Sequence, residues 1–185
     1  QAGVSYAILI TTCAGAWRYL IGDVIQFTDV DACEIKITGR TKQYLSLCGE
    51  HLSVENMNRA TKSLGQSLGF PIPEFTVRGL KHEQGEMGHR WFLAYPAGVE
   101  KPDAVEAQRI LDEALVELND DYATERKHVL KRMELFWLPE SDFLDFMDHR
   151  GKLGGQAKFP RVMPEAVYNE WLLFLGSRYQ KDTFA

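Results

Sequence analysis

Charged residues set beside glycines are where this chain could do chemistry. Asp23 follows Gly22, Arg40 follows Gly39 with Lys42 two residues further on, and Lys152 and Lys158 bracket the pair Gly154-Gly155. A carboxylate offers two acceptor oxygens side by side, and an ammonium on a glycine-rich loop can meet negative charge that develops in a reaction. Taken singly, each has a plainer reading. Gly22-Asp23 fits a turn between strands, Lys42 a solvated charge and Lys158 a surface lysine. His51 reads as a general base or, more commonly, as an exposed histidine at a helix entrance. His82, Glu83, Glu86 and His89 are ligand types, but they lack the H-E-x-x-H spacing of a helical zinc site and span a turn, so no metal site is expected. Cys13, Cys33 and Cys48 are odd in number and lack C-x-x-C spacing, which points to neither a disulfide framework nor zinc.

Hydrophobic periodicity gives the elements that must position these groups. Short strands are predicted at 6–12, 24–28 and 34–38, and a fourth at 44–48 where Leu45 and Leu47 alternate before Gly49. Ser53 is a good N-cap for a helix that aligns Met57, Ala60, Leu64 and Leu68 and stops at Gly69, with Pro71 and Pro73 beyond. Strands at 74–82 and 87–95 make a hairpin around Gln84-Gly85-Glu86. Pro102 opens a long helix with Ala107, Leu111 and Leu115 in its apolar stripe. A shorter helix from Asp120 to about 130, a strand at 133–138, a helix at 139–150 and a last one at 165–177 complete the chain. Trp91, Phe92, Tyr95, Phe136 and Trp137 lie at strand spacing and are expected to be core. The pattern predicts an α+β fold, a small mixed sheet flanked by helices and preceded by short strands.

Three segments, in order, resemble the adenylate-forming enzymes. Gly39-Arg40-Thr41-Lys42, followed by Leu45, Gly49 and Leu52, resembles the domain-hinge motif of that superfamily, with Lys42 at the place of the commoner aspartate and Ser46 at that of a common lysine. Upstream, Trp17 to Asp23 is similar to its Tyr-Arg-x-Gly-Asp segment, with Leu20 and Ile21 where an arginine is usual. Downstream, Lys158-Phe159-Pro160-Arg161 is similar to the C-terminal Lys-x-Pro-Arg pattern of one branch, the auxin-responsive acyl acid-amido synthetases. The resemblance implies a ribose-binding carboxylate at Asp23, nucleotide contacts from Tyr19 and Arg40, a hinge at Lys42 and a catalytic lysine at Lys158. Arg40 is left with two roles, a ribose or phosphate contact or an ion pair across a domain boundary. Gly151-Lys152 copies the wider superfamily's Gly-Lys pair, and Lys158 is preferred to it. Gly49 and Glu50 fall in the loop that a swing about the hinge carries to the reaction centre.

The resemblance further implies the C-terminal portion of an enzyme that uses ATP and Mg²⁺ to convert a carboxylic acid to an acyl-adenylate and passes it to an amino acid amine. Residues 1–39 would end the large adenylation domain, the expected partner, and residues 40–185 would form the mobile domain. At 185 residues, without a Ser/Thr/Gly-rich triphosphate loop and with Gln1 first, the chain is expected to be an excised piece and inactive alone. Its alternatives are a non-catalytic protein-binding module or the C-terminal domain of an acyl-CoA ligase. A net charge of −5 with mixed signs argues against nucleic acid, and no apolar run of membrane length or signal pattern is seen, so a cytoplasmic location is expected.

Overall fold

The computed structural model describes residues 1–40, 44–82, 85–152, 154 and 158–180, with the side chain of Arg40 outside the description. The first sheet is an antiparallel meander of β1 (Ser5–Ile10), β2 (Tyr19–Asp29) and β3 (Glu34–Arg40). β2 is much longer than the predicted 24–28. Gly22 adopts φ +89° where the β1–β2 register shifts, so a residue type that suggested a turn makes a bulge instead. Asp23 therefore lies inside a strand and not in a Gly-Asp turn.

The predicted strand at 44–48 is also different. Only β4 (Tyr44–Leu45) is strand, paired with β5 (Leu52–Ser53), because the chain from Leu47 to Glu50 folds back on the Glu50 carboxylate. Helix α1 (Val54–Leu68) starts at a capping box in which Ser53 Oγ accepts the Asn56 amide and Asn56 Oδ1 accepts the Ser53 amide. It ends at Gly69 in the left-handed region, as the sequence predicted.

The second sheet, in the order β6-β7-β8, is mixed. β6 (Phe75–Lys81) and β7 (Met87–Tyr95) form the predicted hairpin, whereas β8 (Leu130–Pro139) lies parallel to β7 after a crossover through α2 (Ala104–Leu118) and α3 (Asp120–His128). β7 is buried on both faces. Trp91 and Leu93 meet α1 and α2 through Met57, Leu64, Leu111 and Leu115, while Phe92 and Ala94 meet α4 (Glu140–His149) and α5 (Glu165–Arg178) through Phe143, Phe146 and Trp171. Helices thus cover both sides of the sheet.

After α4 the chain returns along the outer edge of β6. The Val77 amide donates to the Arg161 carbonyl at 2.9 Å, the Met163 amide to the Val77 carbonyl at 3.0 Å and Thr76 Oγ1 to the Pro160 carbonyl at 2.8 Å. An edge that would otherwise expose unpaired backbone groups is covered.

Candidate functional site

Strand register sets Asp23 directly opposite Arg40. Asp23 is half-buried, and Tyr19, at the start of β2 across from Ile10, is 59% exposed. Thr41, Lys42 and Gln43 lie outside the described residues, and with them the predicted hinge. Next to this register pair a hollow of about 330 Å³ separates Val24, Lys36 and Thr38 of the first sheet from Ser53, Asn56 and Arg59 at the start of α1.

Beyond the undescribed segment, Glu50 is fully buried. Its Oε1 accepts the Leu47 amide at 2.8 Å and His89 Nε2 at 2.8 Å, and its Oε2 accepts the Cys48 amide at 2.8 Å and the Cys48 thiol at 3.3 Å. Burial alone pushes this carboxyl up, but the hydrogen bonds from His89 and from the amides of Cys48, Glu50 and Leu47 outweigh it and hold the pKa at about 2. Burial, followed by the Glu50 charge and hydrogen bond, pushes the Cys48 thiol up to about 12, so it is no thiolate nucleophile. Gly49, at φ +119°, supplies the turn. His51 is exposed, with Nδ1 2.6 Å from the Gly49 carbonyl and its ring stacked on Tyr44.

Sequence reasoning missed the Glu50–His89 pair and set His89 beside Glu86 instead. Glu86 pairs with Arg132 at 2.9 Å, Glu83 lies outside the described residues, and among the described residues no three His, Cys, Asp or Glu side chains come together as a metal site would require. The signal was available. His89 has the same strand parity as Trp91 and Leu93, so it points into the core, where a polar ring requires a partner.

Lys152 and Lys158 are both exposed and line the same hollow of about 280 Å³, together with Glu74, Glu140, Phe143 and Met147. The loop that carries Lys158 is firmly held on its C-terminal side. Phe159 is buried against Phe143 at 4.9 Å and Trp171 at 5.4 Å. Arg161 pairs with Glu74, donates to the Phe75 carbonyl at 3.0 Å and lies 4.2 Å over the Phe75 ring. In Lys-x-Pro-Arg the three residues after the lysine are therefore an anchor, and the lysine projects from it. Gly155, Gln156 and Ala157 lie outside the described residues.

The lysine hollow and the Asp23–Arg40 register pair share no lining residue. The hollow is on the α4 side of the second sheet, and the first sheet adjoins α1, which packs on the opposite side. A larger hollow of about 500 Å³, between α1 and the 69–75 turn, contains none of the site residues expected from sequence.

The family model described as the GH3 family C-terminal domain matches residues 54–166, and that of the GH3 family central domain matches residues 1–40. Among solved structures, the GH3.15 acyl acid amido synthetase is similar at 22% identity and a TM-score of 0.74, over 96% of this chain and 33% of that one. The AtGH3.15 acyl acid amido synthetase in complex with 2,4-DB is similar at 20% identity and a TM-score of 0.72, with the same coverage of 96% and 33%. At these identities the likeness shows the fold, and the chain spans about a third of the length of these solved relatives. No curated protein matches the chain.

Proposed function

This chain belongs to the GH3 family, and we propose that it forms the C-terminal portion of an ATP-dependent acid-amido synthetase. The family match over residues 54–166 carries the proposal. In the proposed reaction a carboxylate oxygen attacks the α-phosphorus of ATP and pyrophosphate leaves. The amine of an amino acid then attacks the acyl carbon, and AMP leaves as the amide forms. Mg²⁺ accompanies the triphosphate and offsets its charge. Residues 1–39 end the large adenylation domain, residues 40–185 form the mobile domain, and the whole works in the cytoplasm.

Asp23 accepts from the ribose hydroxyls, with Tyr19 nearby on β2. Arg40, opposite Asp23 in register, meets the ribose or the phosphates. Lys158 stabilises charge at the α-phosphorus and is preferred to Lys152, which shares its hollow. Because that hollow lies on the α4 side of the second sheet and the first sheet adjoins α1, which packs on the other side, a swing about Lys42 is what brings Lys158 and Asp23 to one nucleotide. The partly exposed apolar face of the first sheet supports the large domain as partner: Tyr6 and Ile37, 38% and 67% exposed, flank the buried Ile25 across its three strands.

The test is acid-dependent ATP–pyrophosphate exchange by the full-length parent over a panel of carboxylic acids, followed by addition of amino acids. Exchange followed by amide and AMP is expected. A thioester formed with coenzyme A in place of an amide would indicate an acyl-CoA ligase, and absence of exchange would leave a binding module. The 185-residue chain alone is expected to be silent, since the proposed acid and triphosphate sites belong to the large domain.

A further inference from the structure

We infer that Glu50 and His89 form a buried latch that makes the 46–51 turn a preformed, rigid part of the C-terminal domain, and that Glu50 is thereby a positioning residue for the amide-forming half-reaction. The first part stands on geometry alone. The second rests on the function proposed above together with the resemblance that places Gly49 and Glu50 in the loop a swing about the hinge carries to the reaction centre.

A carboxylate at 0% exposure must find its donors inside the protein. Glu50 takes several of them from its own turn, among them the Leu47 and Cys48 amides and the Cys48 thiol, so it templates the backbone on either side of Gly49. The remaining donor comes from the middle of the domain. His89 is 1% exposed on the central strand β7, and its Nε2–H to Oε1 bond is the side-chain tie between the turn and the second sheet. The histidine ring lies 5.9 Å from that of Tyr122, whose hydroxyl donates to Asp112 at 2.5 Å. Asp112 also takes two bonds from Arg126, at 2.9 and 2.7 Å, so the latch is backed by a network joining α2 to α3. Opening the turn would break the bonds that this buried carboxylate makes to the Leu47 and Cys48 amides and to the buried imidazole, and a swing at the preceding segment therefore moves the turn as one body with the domain. The backbone it presents at the reaction centre is already shaped before the swing.

The test has two arms. In the 185-residue chain, Glu50→Gln replaces an acceptor oxygen with a carboxamide NH2 that faces amide donors, and Leu47 and Cys48 should exchange their amide hydrogens at least about tenfold faster while Trp91 and Leu93 stay protected. Unchanged exchange at Leu47 and Cys48 overturns the latch. In the full-length parent, amide formation from pre-made acyl-adenylate should fall about tenfold further than acid-dependent pyrophosphate exchange does, the scale for a modestly misplaced reacting group. Equal loss of the two half-reactions overturns the positioning role. If Glu50→Gln does not fold, His89→Gln, which keeps a donor towards Oε1, is compared with His89→Leu, which does not. Retention of the turn and of amide formation in the glutamine variant alone supports the latch, and equal behaviour of the two overturns it. A wild-type parent without any acid-dependent exchange sinks the proposed function, and the hydrogen-exchange arm still decides the latch.

Discussion

The glycine-bearing turn at 46–51 and the glycine-bearing sequence 151–159 carry similar sequence signals for mobility, but their described residues are held in different ways. The first is closed by a buried carboxylate that bonds its own amides and a histidine of the central strand. The second is fixed at its far end, where Phe159 enters the core and Arg161 ties to Glu74, while Lys152 and Lys158 remain exposed over a hollow. A glycine permits a turn in either case, but it does not decide whether the turn moves. That is decided by where the neighbouring polar and aromatic side chains are buried, and by whether opening the turn would leave them without partners.

The comparison is most easily broken at the anchor. Phe159→Ala removes an aromatic ring packed on Phe143, Phe146 and Trp171, and should cost about 3–5 kcal/mol in urea unfolding of this chain. A loss below about 1 kcal/mol would show that the chain following Lys158 is not anchored there. Next in size is the lysine assignment. Lys158→Ala in the parent should lower adenylation by roughly 10²–10³, the scale of one preorganised electrostatic contact, while Lys152→Ala does little. Both side chains line one hollow, so the pair of variants separates a specific contact from a general positive field. A large defect from Lys152→Ala alone moves the site to the Gly151-Lys152 pair.

Sequence patterning made much of this framework legible, and the failures have physical causes. The Ser53 cap, the Gly69 stop and the 75–95 hairpin are local devices, and local chemistry announced them. The parallel pairing of β7 with β8 and the docking of residues 160–163 along β6 depend on distant partners, which no window of sequence contains. Gly22-Asp23 misled because a glycine at positive φ serves a bulge as well as a turn. At the site, resemblance singled out Asp23, Arg40 and Lys158, and the structure sets Asp23 opposite Arg40 in strand register and leaves Lys158 exposed. Resemblance did not bring Glu50 and His89 together, although the strand parity of His89 marked it as a buried polar group needing a partner.

The 46–51 turn also predicts a pH effect. The Glu50 pKa is depressed from 4.5 to about 2 in the folded chain, so its contribution is fully present above pH 4.5 and is lost as pH falls towards 2. The shift corresponds to about 3 kcal/mol. Unfolding free energy should therefore fall more steeply over that window in wild type than in Glu50→Gln, and parallel curves would show that the buried carboxylate contributes no such linkage.

The smallest expected effect separates the latch from its exposed neighbour. His51 adjoins Glu50 in sequence, yet its ring is spent on the Gly49 carbonyl and the face of Tyr44, both at the surface. An exposed hydrogen bond competes with water, and the 3.9 Å approach of Nδ1 to Asp121 is between groups that are both largely exposed. His51→Ala should thus change unfolding free energy by no more than about 0.5 kcal/mol, the usual range for surface substitutions. It should also leave amide formation by the parent close to wild type, since nothing orients the imidazole towards a reacting amine. A loss of amide formation of about a hundredfold, the lower end of the range for a general base, with stability and adenylation preserved, would restore His51 as that base. It would also mean that the turn is built to present this histidine rather than its backbone.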